Sequence, residues 1–520
     1  MNTRNNCGRV LVGAALLALM TACGPSVDDS LNEARSIVGP LTLDGRTAYV
    51  DQQNGHLFVL DPTRDEEKAR LDVAKYAAGQ KPGAVATSAD KTKIYIVDEE
   101  GDKLLIVNAE DGQTTSVELK ADYDRIAVDP EGEFVVLSFS GADATNVVAR
   151  NLNEVGVVDL RGAEPEAYFV TLSTRANSFV FAPPFELDGQ AQRMMAVLAN
   201  NEVTLFDLLA DNEDDRLREV PLTVSEADQV RRPRKAIFDT NDPTKVDLYV
   251  LTEGADISRM TARLAASGPR KLLVSTDKLT VPAPNDFALV QYNETTRLVS
   301  ISATRPEFTL VDTVSDVSVT FDLPIIGPAT RLIPYVTTVT EDEETREELR
   351  ILAHNTQSTL LAVIRPETVA LDGDEPTLGR SVEAVRLEQV PERIEVSSGV
   401  PDQAIVFHQS SGFSLLDLRR NNGIPIQGGA IRDVLFDGVF AYVIYRTLPN
   451  LTIFADDGHP NNFDLPANGT NVFFDASEEV LLVEHSDLHG TFTVLNANEP
   501  TVENATVYES IFLQNIFGGL

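Results

Sequence analysis

The chain has 520 residues, with 80 Asp and Glu against 43 Lys and Arg, a formal charge of −37. That balance excludes a general nucleic-acid or anionic-membrane binder, because both need a cationic surface to displace counterions. Apolar residues at 43% exclude a disordered chain, and the absence of Trp argues against a sugar cleft built on indole stacking.

The first residues are not fold. Arg4 and Arg9 flank the start of an apolar run from Val10 to Thr21. A run of about a dozen residues is the length of a signal-peptide core and too short to span a bilayer, which needs roughly 20. It ends in Leu19-Met20-Thr21-Ala22-Cys23, followed by Gly24-Pro25-Ser26. This segment resembles the lipobox of bacterial lipoproteins, with Met20 where Leu is usual. The resemblance implies removal of residues 1–22, a diacyl lipid on Cys23, and an anchor in the outer membrane, on its periplasmic face or at the cell surface. Residues 23–38, with Asp28, Asp29 and Glu33, then read as a lipidated Cys and an acidic tether. Cys7 and Cys23 are the only cysteines, so on this reading the mature chain keeps no thiol for a disulfide, a thiolate metal site or a nucleophile.

From residue 39 onward, short β-rich runs alternate with turn residues, the pattern of an all-β domain. One segment recurs, an apolar strand ending in Asp or Asn: Leu57-Phe58-Val59-Leu60-Asp61, Leu104-Leu105-Ile106-Val107-Asn108, Thr204-Leu205-Phe206-Asp207, Leu415-Leu416-Asp417 and others. Before each copy lies a second strand that is almost wholly apolar, such as Met194-Met195-Ala196-Val197-Leu198. A strand of that kind belongs in a sheet packed on both faces. Polar turns precede several second strands, among them Asp129-Pro130-Glu131-Gly132 and Asp239-Thr240-Asn241-Asp242, whose carboxylates can hold a hairpin. The period predicts ten units of roughly 40 to 60 residues with about four strands each, the size of a propeller blade.

Tyr49-Val50-Asp51…Val59-Leu60-Asp61, Tyr95-Ile96-Val97-Asp98…Ile106-Val107-Asn108 and Asp129-Pro130-Glu131-Gly132 resemble YVTN-type bacterial β-propeller repeats. The resemblance covers about 39–137 and implies a ring of blades around a central channel; it implies no single activity. The expected fold is one β-propeller of about ten four-stranded units over 39–520. Two smaller rings meeting near Leu323-Pro324-Ile325-Ile326-Gly327-Pro328 are the alternative. Ring closure is expected from an apolar tail (Val507-Tyr508, Ile511-Phe512-Leu513, Ile516-Phe517) packing on the first unit around Leu41-Thr42-Leu43.

Motif chemistry is sparse. There is no G-x-S-x-G, no H-E-x-x-H and no phosphate-cradling Gly loop. Glu341-Asp342-Glu343-Glu344 reads as a solvated acidic loop, and Asp211 to Asp215 lacks the Gly of a calcium loop, with Arg216 in its place. Asp456-Asp457-Gly458 with Asn461, Asn462 and Asp464 is an oxygen-rich turn open to calcium or to ordinary Asx bonding. His485, Asp487 and His489 form the one cluster with transition-metal character, so no cofactor is assigned and a divalent metal is carried as an option.

Aligning the units on the end of the second strand picks out Asp51, Asp98, Ser138, Ala199, Thr252, Ala303, His354, His408, Arg446 and His485. Two readings of this slot stand side by side: His354, His408 and His485, whose imidazoles titrate near pH 6.5, form with Arg446 a basic arc beside Asp51 and Asp98, a rim for an anionic group, or the strand ends are polar because they meet water and Asp51 and Asp98 brace their turns. The expected function is therefore a non-enzymatic binding scaffold for an envelope protein or a small ligand. A lactonase-like propeller hydrolase is the alternative. Replacing Cys23 with Ser should stop processing and release the protein from the membrane fraction; unchanged fractionation would contradict lipid anchoring.

Overall fold

The computed structural model describes residues 36–513 except 66–67, 142–150, 211–212, 223–230, 266–270, 293–294, 342–343, 367–380, 397–401, 410–411, 427–428, 437–439, 455–459, 488 and 498–503. The expected signal, Cys23 and most of the expected tether lie outside these residues. Ten four-stranded antiparallel sheets follow one another along the chain, from blade 1 over 37–77 to blade 10 over 469–508. The first strand begins at Ile37, because Ile37 and Val38 already pair with Asp51 and Val50. Blade 4 alone departs from simple up-and-down order, with a small hairpin of Phe185–Leu187 and Gln190–Gln192 inserted before its second strand.

In each blade the first strand is innermost. Pro82–Thr87 touches Arg125–Val128, Pro284–Tyr292 touches Arg331–Glu341, and Ile431–Phe436 touches Gly469–Asp475, so these strands line the channel. Second strands sit inside the wall. Thr47–Asp51, Phe134–Ser138, Val246–Thr252 and Ala441–Tyr445 are buried at every residue. Strand side chains alternate between faces. Thus Ala48 and Val50 pack on blade 2, whereas Tyr49 packs on blade 10.

The arrangement of the core establishes the ring. The buried apolar residues fall into ten clusters, and each joins two neighbouring blades. A row of ten blades with free ends has nine such seams; the tenth joins blade 10 to blade 1. A division into two rings near residue 325 is excluded, because Leu323, Ile325 and Ala329 lie within the apolar core that blades 6 and 7 share. The fold is a single ten-bladed β-propeller.

The recurrent acidic strand end has a local cause. At the end of the third strand, Asn108, Asp159, Asp207, Asp312 and Asp417 each accept a hydrogen bond from the backbone N–H two residues on, at 2.8–3.0 Å. These Asx turns start the hairpin to the outer strand. The turns before second strands work the same way: Asp90, Asp239 and Asp475 accept from Thr92, Asn241 and Ser477.

Closure uses packing rather than a shared strand. Blade 1 comes entirely from one end of the chain and blade 10 from the other. The helical turn Ile511–Leu513 inserts at the seam, with the Phe512 ring 5.2 Å from Tyr49, 5.5 Å from Phe58 and 6.0 Å from Phe492. Gly490 makes room for it, since a Cβ there would come within 2.6 Å of the ring. The expected partner segment is corrected. Leu43 packs toward blade 2, and the tail meets the second and third strands of blade 1 instead, because Tyr49 and Phe58 offer the larger apolar face. Ile516 and Phe517 lie outside the described residues. Truncating Phe512 to Ala should cost about 3–5 kcal/mol, the range for a buried aromatic. Deleting 509–520 should lower the melting temperature, and a truncated protein that melts like the full chain would contradict this closure.

Candidate functional site

Every second strand ends where the inner strand of its blade begins. Asp51 pairs with Ile37, Asp98 with Pro82, Ser138 with Arg125, and Thr252 with Pro233. On the other side of the ring His354 pairs with Arg331, His408 with Pro391, and His485 with Gly469. The aligned positions therefore form one circle at one mouth of the channel. In blades 1, 2, 5, 6, 8, 9 and 10 the inner strand shifts register within its first few residues. Such bulges re-aim a side chain and are common at functional rims.

The side chains of the circle mostly turn into the wall. Asp51 braces its own turn, accepting from the backbone N–H of Gln53 and Asn54 and from Asn54 Nδ2 at 2.7 Å. Asp98 accepts from the N–H groups of Gln80 and Lys81 in the link between blades 1 and 2. His354, His408 and His485 are all buried, and burial lowers the pKa of each, for His354 to about 4 with Arg331 nearby adding to the effect. His408 Nε2 meets Ser414 Oγ at 2.8 Å. His485 Nδ1 lies 3.1 Å from the Ala467 carbonyl and Nε2 lies 2.7 Å from Thr493 Oγ1. A neutral ring donating at Nδ1 and accepting at Nε2 satisfies both. The expected arc of imidazolium charge is thus replaced by buried neutral rings, of which His408 and His485 are hydrogen-bonded and His354 has no hydrogen-bond partner among the described residues, because a charged ring at these depths loses its hydration.

The metal option on His485, Asp487 and His489 finds no geometry. Both nitrogens of His485 are engaged, and the Asp487 carboxylate accepts from the His489 N–H and the Thr491 hydroxyl. Among the described residues no three His, Cys, Asp or Glu come together as a metal would need. The turn Asp456-Asp457-Gly458 lies outside the described residues, and Glu213–Arg216 forms a single helical turn.

Arg446 is the one predicted rim cation that stays exposed, with Nε donating to the Ile431 carbonyl at 3.1 Å. The cations that the alignment misses sit one strand further in. Within the first three residues of the ten inner strands stand Arg125, Arg234, Lys235, Arg331, Arg393 and Arg432, against only Asp286, Glu392 and Asp433. That ratio inverts the balance of the chain, 43 bases to 80 acids. The five arginines are exposed. Aligning units on inner-strand starts would have revealed them, but those strands are short and carry little repeated sequence.

Arg393, Arg432 and Arg446 line one cavity of about 350 Å³ between blades 8 and 9, with His408 in its wall. A larger cleft of about 780 Å³ opens between blades 5 and 6 at the other end of the sheets. Its charges are largely paired within the protein, Lys245 with Asp247 at 2.6 Å and Arg259 with Asp316 at 3.0 Å.

No protein-family model and no curated protein sequence matches the chain. Among solved structures it is similar to dihydro-heme d1 dehydrogenase NirN in complex with DHE, at 13% identity over 89% of this chain and 85% of that one, with a TM-score of 0.39. It is also similar to a eukaryotic initiation factor, at 10% identity over 90% and 96% with a TM-score of 0.46. AztD from Citrobacter koseri follows at 9% identity over 82% and 87%, with a TM-score of 0.32. Likenesses this distant carry no argument about activity.

The buried imidazole makes a pH prediction. With its folded pKa lowered to about 4 from 6.5, His354 is neutral and harmless above the unfolded value. As pH falls from 6.5 toward 4 the unfolded chain takes up the proton first, so stability drops, by about 3 kcal/mol at most. His354→Gln should flatten that part of the pH–stability curve between pH 7 and 4.5, measured by urea midpoints. An unchanged slope would contradict the burial of a neutral ring.

Proposed function

We propose that this protein is a lipid-anchored binding scaffold of the bacterial outer membrane, whose channel mouth holds an anionic group of an envelope protein or small ligand. The address rests on the lipobox-like segment ending at Cys23. The binding role rests on one observation, the inversion of charge at inner-strand starts in a chain of net charge −37. A strongly acidic protein repels anions over most of its surface, so a cationic mouth selects where an anion can approach. Arginine suits this task, because it stays charged and offers a planar fork of donors to carboxylate or phosphate. The circle of Asp51, Asp98, His354, His408 and His485 then supports the mouth from behind, fixing the turns and wall on which the arginines stand, while Arg446 takes part directly.

The test is capture from envelope extracts. The triple variant Arg125→Glu, Arg234→Glu, Arg331→Glu reverses exposed charges away from the blade 8–9 cavity and should lose the partners that wild type captures. Capture by wild type should also weaken with added salt, since exposed charges are screened within about 8 Å at physiological ionic strength. Undiminished capture by the triple variant would overturn the mouth as the binding surface. Chelator-sensitive hydrolysis of lactones or esters by the wild type would favour the hydrolase alternative instead.

A further inference from the structure

The cavity between blades 8 and 9 concentrates the cationic mouth into one partly open place. Three arginines line it, two from inner strands and one from a turn. Arg393 comes from the inner strand of blade 8, Arg432 from the inner strand of blade 9, and Arg446 from just beyond that blade's second strand. Two of the three are held in place by contacts within the protein. The Arg393 guanidinium stacks on the Phe407 ring, 3.8 Å from its centroid. Arg446 is pinned to the Ile431 carbonyl, which lies beside Arg432. Arg432 itself occupies the bulged position, because Ile431 pairs with Tyr445 and Asp433 pairs with Ile444.

The acids nearby leave a surplus of positive charge. Among the described residues Glu392 is the only carboxylate in the lining, and Glu395 pairs with Arg393 at 3.2 Å with both side chains about half exposed. Surface pairs of that kind are worth little and are readily exchanged. Asp433 is turned to the backbone, accepting from Val434 and Val472. Glu484, the other acid that feels Arg432, is largely buried with its pKa raised by desolvation. His408 contributes no charge, since burial lowers its pKa.

We propose that this cavity is a discrete binding site for a compact oxyanion carrying two or more negative charges, such as a small polycarboxylate or a phosphate group. The proposal rests on the mouth being a binding surface and adds the ligand class and the residues that recognise it. A volume of about 350 Å³ sits at the small end of ligand sites, which excludes folded protein and suits a ligand of metabolite size. Three guanidiniums, those of Arg393 and Arg446 already held in place, favour multiple charge, because each can donate hydrogen bonds to separate anionic oxygens. A single carboxylate engages one fork and leaves the others hydrated.

Citrate, inorganic phosphate and acetate are the probes, titrated calorimetrically into the lipid-free full propeller at matched ionic strength. Citrate and phosphate should bind with one site per chain and at least tenfold more tightly than acetate. Arg432→Glu and Arg446→Glu, both exposed positions, should each weaken citrate at least tenfold with unchanged melting temperature. The Arg125, Arg234 and Arg331 triple variant should bind citrate as the wild type does. Citrate no tighter than acetate, or citrate affinity unaltered in both single variants, would overturn the site. A triple variant that keeps citrate yet loses captured partners leaves this cavity intact as a small-anion site; a chain that captures partners but binds no citrate sinks the cavity alone.

Discussion

Everything in this molecule depends on second strands that must be covered on both faces. A residue such as Tyr49 or Val50 is buried whichever way it points, so no blade is stable alone and each needs a neighbour on either side. Only a closed ring gives every blade two neighbours. The seam between blades 10 and 1 is where that requirement meets the entropy of the chain. Joining ends several hundred residues apart costs on the order of 5 kcal/mol by the logarithmic law for loops. Against this stand eleven buried apolar residues at the seam, at roughly 1.5–3 kcal/mol for each large side chain. Packing wins without any exchanged strand, and the aromatic cluster around Phe512 is where it is densest.

The same constraint shapes the mouth. Because second strands are wholly interior, polar residues at their ends are drawn into the wall, where most find partners and, among the described residues, the His354 ring and the Ser138 hydroxyl do not. Asp51 and Asp98 take backbone N–H groups, while His408 and His485 take hydroxyls. Arg446 apart, the charge that remains available to a partner comes from the strands that face the channel. Arg234 and Arg432 illustrate the device, since both occupy bulged positions of an inner strand and both are exposed.

Much of this was legible in the sequence, and the reasons are physical. Apolar runs such as Met194 to Leu198 and Ala441 to Ile444 announce two-sided burial, and an Asp or Asn that starts a hairpin recurs at the same place in most blades though not in blades 5 and 7, so the repeat and the blade count could be read. The circle of strand ends was also placed correctly, since Asp51, Asp98, Ser138, Thr252, His354, His408 and His485 each end a second strand. What escaped was depth and direction. A histidine at a strand end looks the same in sequence whether it meets water or the wall, and His354 is buried. The closing contact was misplaced for a related reason: Leu41 and Leu43 are as apolar as Tyr49 and Phe58, and only the order of seams says which of them faces blade 10.

The closed ten-bladed ring is the claim on which the mouth, its circle of arginines and the blade 8–9 cavity all rest. Electron microscopy of the purified propeller, averaged for particles viewed down the channel, tests it directly. The account predicts one ring of ten spokes around a single central opening. Two smaller rings, or an arc with a gap between its first and last blades, would contradict it.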